Sequence, residues 1–175
     1  IILRSCTSEL IMDQNKRRIF DKEKNEYTFR TLKSLIKSIN KASLVFKNIK
    51  FDLIVTDTSS PKEDIDKIQE ILNKSNIENK FKSIDLDSFK NKIKSGYSKA
   101  KFSNMANFYT SLMIAHEESD DIFYFVEDDY LHSEDAITEM IFAYEKLSTI
   151  FSKDLVLLPA DYPYLYAKDE VTKIY

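Results

Sequence analysis

Short, apolar-rich runs alternating with longer amphipathic stretches constrain this chain more than any other feature. Ile1 to Leu3, Phe51 to Val55, Phe81 to Leu86, Asp121 to Glu127 and Leu155 to Leu158 are too short for helices and read as buried strands. Between them apolar residues recur at three and four. Glu26 to Phe46 carries Phe29, Leu32, Leu35, Ile36 and Ile39 on one side, and Pro61 to Lys74 turns Ile65, Ile68, Ile71 and Leu72 inward. Ser103 to Glu118 presents Met105, Phe108, Tyr109, Leu112, Met113 and His116 on one face, which predicts a core position for His116. A last helix, N-capped by Ser133 with Glu134 and Asp135 in its first turn, carries Ile137, Met140, Ile141, Tyr144 and Leu147. The repeated strand-helix order predicts an α/β fold, a mainly parallel sheet of about five strands with helices on both faces, Rossmann-like in class.

Local signals support these boundaries. Ser60-Pro61-Lys62-Glu63 has the form of a capping box with proline at the first helical position. Asp87 to Lys101 is polar and holds the single glycine, Gly96, so it reads as a loop or a frayed turn.

The 175 residues fit one domain, and an apolar share of 43 % with 12 Phe and 10 Tyr excludes a disordered chain. The net charge of −3 is spread over mixed Lys and acidic residues, with no basic face of the kind nucleic acid requires. Cys6 stands alone, so no disulfide framework exists, and it reads as a small residue buried at a strand end. A reducing, cytoplasmic setting is expected, membrane-peripheral at most, because no apolar run approaches a transmembrane segment and no signal peptide is visible. The chain begins inside a strand without Met, and it is expected to be incomplete at its C-terminus.

In a parallel α/β sheet the ligand sits beyond the carboxyl ends of the strands. Those ends carry Arg4-Ser5-Cys6-Thr7, Asp57, Asp87, Glu127-Asp128-Asp129 and Asp161. Three adjacent carboxylates repel one another, which calls for a positive partner. A hard divalent cation, Mn²⁺ or Mg²⁺, holding a phosphate-bearing ligand answers that need.

Tyr124-Phe125-Val126-Glu127-Asp128-Asp129 resembles the acidic motif of nucleotide-sugar-dependent glycosyltransferases with the GT-A fold, family 2-like in character. The resemblance covers most of the chain. Ile1 to Thr7 looks like the first strand and loop that cradle the nucleotide, and Val55 to Ser60 looks like the second strand with its Ser-rich turn. It implies a nucleoside-diphosphate sugar donor, a glycan or other hydroxyl acceptor, and a divalent metal on the diphosphate. Asp57 is implied at the base or ribose, Lys101, with Lys99 beside it, near the nucleotide, and Arg4, Ser5, Cys6 and Thr7 around it. Glu134-Asp135 stands where the family often has a Pro-Asp pair.

Strand alternation places Glu127 and Asp129 on one side and Asp128 on the other unless the chain turns there. Asp129 is expected as the direct metal ligand, Glu127 as a supporting residue of the metal site, and Asp128 at the ribose or a metal-bound water. An inverting reaction also needs a carboxylate base, for which Asp161 is the downstream candidate, the alternative being a cap or turn residue. Tyr162, Tyr164 and Tyr166 read as packing residues rather than sugar platforms, and His132 as an exposed loop histidine.

Two other readings compete. One is a non-catalytic remnant of the nucleotide fold that binds a protein partner. The other is a phospho-acceptor receiver domain, since Phe51 to Asp57 with Pro61 resembles the phosphorylated-aspartate strand and Val126 to Asp129 the receiver's acidic pair. The acidic pair precedes the phospho-acceptor strand in receivers and follows it here, so this reading requires circular permutation.

Overall fold

The computed structural model describes residues 1–8, 22–94 and 96–159. They form β1 (Ile2–Ser5), α1 (Lys24–Val45), β2 (Asp52–Asp57), α2 (Lys62–Asn73), β3 (Glu78–Ser83), α3 (Lys99–Glu118), β4 (Phe125–Glu127) and α4 (Ala136–Phe151), with a 3₁₀ turn over Leu86–Phe89. The sheet is parallel throughout, in the order β3-β2-β1-β4. β1 is paired on both sides, Leu3 lying beside Val55 on one and Val126 on the other. Contacts divide the chain into two compact units, Ile1–Thr138 and Glu139–Tyr175, and the first contains the whole sheet.

Side chains on successive strand residues point to opposite faces, and the two faces are covered differently. Ile2, Ile54 and Phe125 share one face and pack with Ile114 and Ala115 of α3. Leu3, Leu53, Val55 and Val126 point the other way, where α1 and α2 meet and bury Leu32, Leu35, Ile39, Ile68 and Leu72. The expected α/β class therefore holds in four strands rather than five. Leu155–Leu158 pairs with no described strand, and Val156 and Leu158 are 93 % and 90 % exposed, so an apolar run alone did not define a strand there.

Other boundaries move for identifiable reasons. β3 starts three residues before the expected Phe81, because this edge strand, Glu-Asn-Lys-Phe-Lys-Ser, shows water most of its side chains and carries no apolar run. β4 is only three residues long, and Ile122 and Phe123 ahead of it are about half exposed. The expected capping box does not form. Pro61 occupies the N-cap position of α2 with no side-chain cap, because the Ser60 hydroxyl is engaged by Asp57 and Thr7 instead.

The largest departure is in α3. The face expected in the core is outside: Met105, Phe108, Tyr109, Leu112 and Met113 are 37–43 % exposed, and His116 is exposed as well. The buried side consists of Ser103, Ala106, Asn107, Thr110, Ser111, Ile114 and Ala115. Small residues let the helix lie close to the sheet, and polar ones answer the polar strand residues beneath. Thr56 Oγ1 donates to Asn107 Oδ1 at 2.7 Å, while Asn107 Nδ2 donates to the carbonyls of Ser5 and Thr56.

Candidate functional site

The chain leaves β1 toward β2 and β3 on one side, then crosses back to place β4 on the other. The strand order thus reverses between β1 and β4, and the carboxyl ends of these two strands form the topological switch point at which open parallel sheets bind ligands. Arg4 to Thr7 and Glu127 to Asp129 meet there, Arg4 lying beside Glu127 in register.

On the α3 face, Arg4 Nη2 reaches Glu127 Oε1 at 2.6 Å, Arg4 Nη1 donates to Asn104 Oδ1 at 3.3 Å, and the guanidinium lies 5.3 Å from the centre of the Phe108 ring. Glu127 remains half exposed, with 54 % of its side chain open to water. On the α1 face, Asp128 is buried and both of its oxygens are taken. Lys24 Nζ donates to Oδ1 at 2.5 Å, and Thr28 Oγ1 and the Cys6 amide donate to Oδ2 at 3.0 and 3.1 Å. Asp128 thus ties the end of β4 to the first turn of α1 and to the loop after β1. Asp129, next in the chain, is half-buried at the same edge.

Asp57 is fully buried. It accepts from the Ser5 hydroxyl at 2.6 Å, the Ser60 hydroxyl at 2.5 Å and the Ser60 amide at 3.2 Å. Burial pushes its carboxyl above the usual range against these hydrogen bonds, with a further upward push from the charge of Asp128. It clamps the turn into α2, in which Ser59 takes a left-handed φ of 64°. Thr7 closes the same region, its amide donating to Ser60 Oγ and its hydroxyl to Asp64 Oδ2. Asn25 of α1 donates to the other Asp64 oxygen at 3.0 Å.

Arg4, Ser5, Cys6, Thr7, Asp57, Glu127, Asp128 and Asp129 therefore gather at one sheet edge, but the two expected nucleotide carboxylates, Asp57 and Asp128, are occupied by internal partners. Cys6 is half-buried rather than buried, its Sγ lying 3.8 Å from Ser103 Oγ. Lys101 is exposed near the start of α3, its ammonium 4.2 Å from the centre of the Tyr97 ring. His132 is not an exposed loop histidine. Its Nε2 lies 3.1 Å from the Tyr124 hydroxyl, its amide donates to Ser34, and burial holds its pKa below the ordinary value. Asp161, Tyr162, Tyr164 and Tyr166 lie outside the described residues.

Lys24, Thr28, Asn25 and Asp64 were not singled out in the sequence. A lysine in the first turn of a helix opposes the macrodipole, and that is the signal that it has a specific acidic partner. The expected helix start at Glu26 placed Lys24 outside the helix and hid it.

Among the described residues, no three His, Cys, Asp or Glu side chains converge as a metal-holding group. Glu127 and Asp129 nonetheless fit a hard cation in kind, since Mg²⁺ is commonly held by one or two carboxylates with phosphate and water completing its shell. The receiver reading does not fit the topology. Receivers of order 2-1-3-4-5 place the acidic strand beside the phospho-acceptor strand, whereas β1 here separates β4 from β2.

Fold and edge together define a Rossmann-like α/β protein with an acidic switch point. Compared with known proteins, the chain matches no family model, no curated protein and no solved structure. No helix among the described residues is long and apolar enough to cross a membrane.

Proposed function

We propose that this chain is the nucleotide-sugar-binding part of a GT-A-like, metal-dependent glycosyltransferase, moving a sugar from a nucleoside-diphosphate donor to an acceptor hydroxyl. One observation carries the reading: Glu127 ends β4 and Asp129 follows it beside the end of β1, at the switch point of a parallel sheet. Asp129 would hold Mn²⁺ or Mg²⁺ with Glu127 as the second carboxylate. When bound, such a cation stabilises the negative charge that develops on a departing diphosphate.

The chain's own groups divide the remaining work. Arg4 is the guanidinium suited to the phosphates, and its salt bridge keeps it and Glu127 at the edge until a ligand competes for either. Asp128 and Asp57 act from behind, holding the loops after β4, β1 and β2 in place. In the transfer itself, the acceptor oxygen bonds to the anomeric carbon as the bond to the diphosphate oxygen breaks. The acceptor proton passes to a carboxylate, the role expected of Asp161.

Thermal unfolding with nucleoside diphosphates, with and without Mn²⁺, tests this. Ligand that binds only the native state at a hundredfold excess over Kd stabilises it by about 2.7 kcal/mol. We expect that stabilisation only when nucleotide and metal are both present, and its loss in Asp129→Ala. No stabilisation by any nucleoside diphosphate with metal present would sink the proposal. Donor hydrolysis or transfer then separates an enzyme from a nucleotide-binding remnant.

A further inference from the structure

We propose that the outer face of α3 is a self-complementary docking surface for a second copy of this chain, packed antiparallel about a two-fold axis near Phe108 and Tyr109. The first observation is the exposed stripe of Met105, Phe108, Tyr109, Leu112 and Met113 on one helix face. Large apolar side chains grouped on one exposed face, rather than scattered singly, mark an interaction site.

Charge selects the occupant. No Asp or Glu occurs between Asp87 and Glu117, whereas Glu117, Glu118, Asp120 and Asp121 then follow almost together. Helix α3 therefore has Lys99 and Lys101 in its first turn, no acidic residue there, and two glutamates at its end. Both ends oppose the helix macrodipole, which favours anions at the N-terminus and cations at the C-terminus. An antiparallel second copy reverses this, bringing the partner's Glu117 to the lysine end and its Lys99 to the glutamate end.

The spacing is symmetric as well. Lys99 and Glu117 are equidistant in sequence from Phe108, and Met105 and Met113 from Tyr109. At about 100° per residue Lys99 and Glu117 also lie on the same flank of the stripe, as a two-fold axis perpendicular to the helices requires. No ion pair joins either residue to another described residue, whereas the neighbouring Glu118 is held by Lys80 at 2.9 Å. A parallel pairing would set lysines against lysines, and an anionic lipid surface would answer the lysine end but repel the glutamate end. The inference does not depend on the glycosyltransferase reading.

Sedimentation velocity and light scattering over a concentration series test the proposal. We expect a monomer-dimer equilibrium in the wild-type chain. Met105→Ser with Leu112→Ser should weaken it at least about tenfold, since apolar area leaves the centre of the interface. Lys99→Glu and Glu117→Lys should each weaken it about tenfold, because the two-fold axis counts each change twice. The decisive variant combines Lys99→Glu with Glu117→Lys, which restores opposite charges across an antiparallel pair and should return dimerisation to within about twofold of wild type. All four positions are solvent-exposed, and circular dichroism melts verify that each variant is folded. A wild type that stays monomeric throughout the series overturns the proposal. So does a double variant no better than its parents, or a monomer captured by vesicles containing phosphatidylglycerol.

Discussion

The two faces of the sheet bury their helices by different means. On the α1 and α2 face, Leu3, Leu53, Val55 and Val126 meet Leu32, Leu35, Ile39, Ile68 and Leu72, and the hydrogen-bonded carboxylates Asp57 and Asp128 lie at the loop end. On the α3 face, the helix presents mostly serine, threonine, asparagine and alanine to the sheet, with Ile114 as its one large buried apolar residue, and keeps Met105, Phe108, Tyr109, Leu112 and Met113 outside. The first face draws its stability mainly from apolar area removed from water, whereas the second adds to a smaller apolar cluster hydrogen bonds that must be satisfied. The difference also divides the acidic motif. Asp128 points to the first face and is enclosed, whereas Glu127 points to the second and stays half exposed.

The sharpest way to break this contrast is to remove the same atoms from each side. Leu35→Ala, at a fully buried site of α1, should cost about 2–5 kcal/mol, while Leu112→Ala on the outer stripe of α3 should cost under about 1 kcal/mol in urea denaturation at protein concentrations where the chain is monomeric. Equal losses in the monomer would mean that the α3 stripe is covered within the single chain. The next comparison sets the two carboxylates against each other. Asp128→Ala leaves the Lys24 ammonium and the Cys6 amide without their acceptor and the Thr28 hydroxyl with only the Lys24 carbonyl, and should cost about 3 kcal/mol. Glu127→Ala breaks a pair whose acid is 54 % exposed and should cost about 1 kcal/mol or less. A reversed ranking would place the buried anchor on the other face.

The sequence announced the parallel α/β class and the acidic sheet edge because both depend on periodicity and order, which a chain carries openly. It misled in α3 because period analysis finds which residues share a face, not whether that face is inside. Met105, Phe108, Leu112 and Met113 do share a face, and the sheet accepts the other one because Asn107 and Ser111 match Thr56. Leu155 to Leu158 misled for a related reason, since a strand needs a neighbour and an apolar tetrapeptide does not supply one. At the site, the strand-end residues were legible, but the internal partners of Asp57 and Asp128 were not. Ser60 lies three residues from Asp57, whereas Lys24 and Thr28 reach Asp128 across about a hundred positions of chain that only the tertiary fold closes.

The smallest effect concerns the contrast within the first face, between a buried carboxylate with a cation and one without. Asp128 has Lys24, while Asp57 has only hydroxyl and amide donors, and burial outweighs them to raise its pKa. A folded-state pKa above the unfolded value means that the native state binds more protons between the two, so stability from this group falls as pH rises through that window. Asp57→Asn removes the titration while keeping the shape, at the cost of a mismatched Ser60 amide donor. Its destabilisation relative to wild type should therefore be greatest below the unfolded-state value of about 4, where native Asp57 is protonated, and shrink as pH rises toward 7, where the wild-type anion bears the burial penalty. Urea titrations of both proteins across that range measure the difference and cancel most of the other carboxylates. A gap that widens with pH would show that the three hydrogen bonds favour the anion more than burial opposes it.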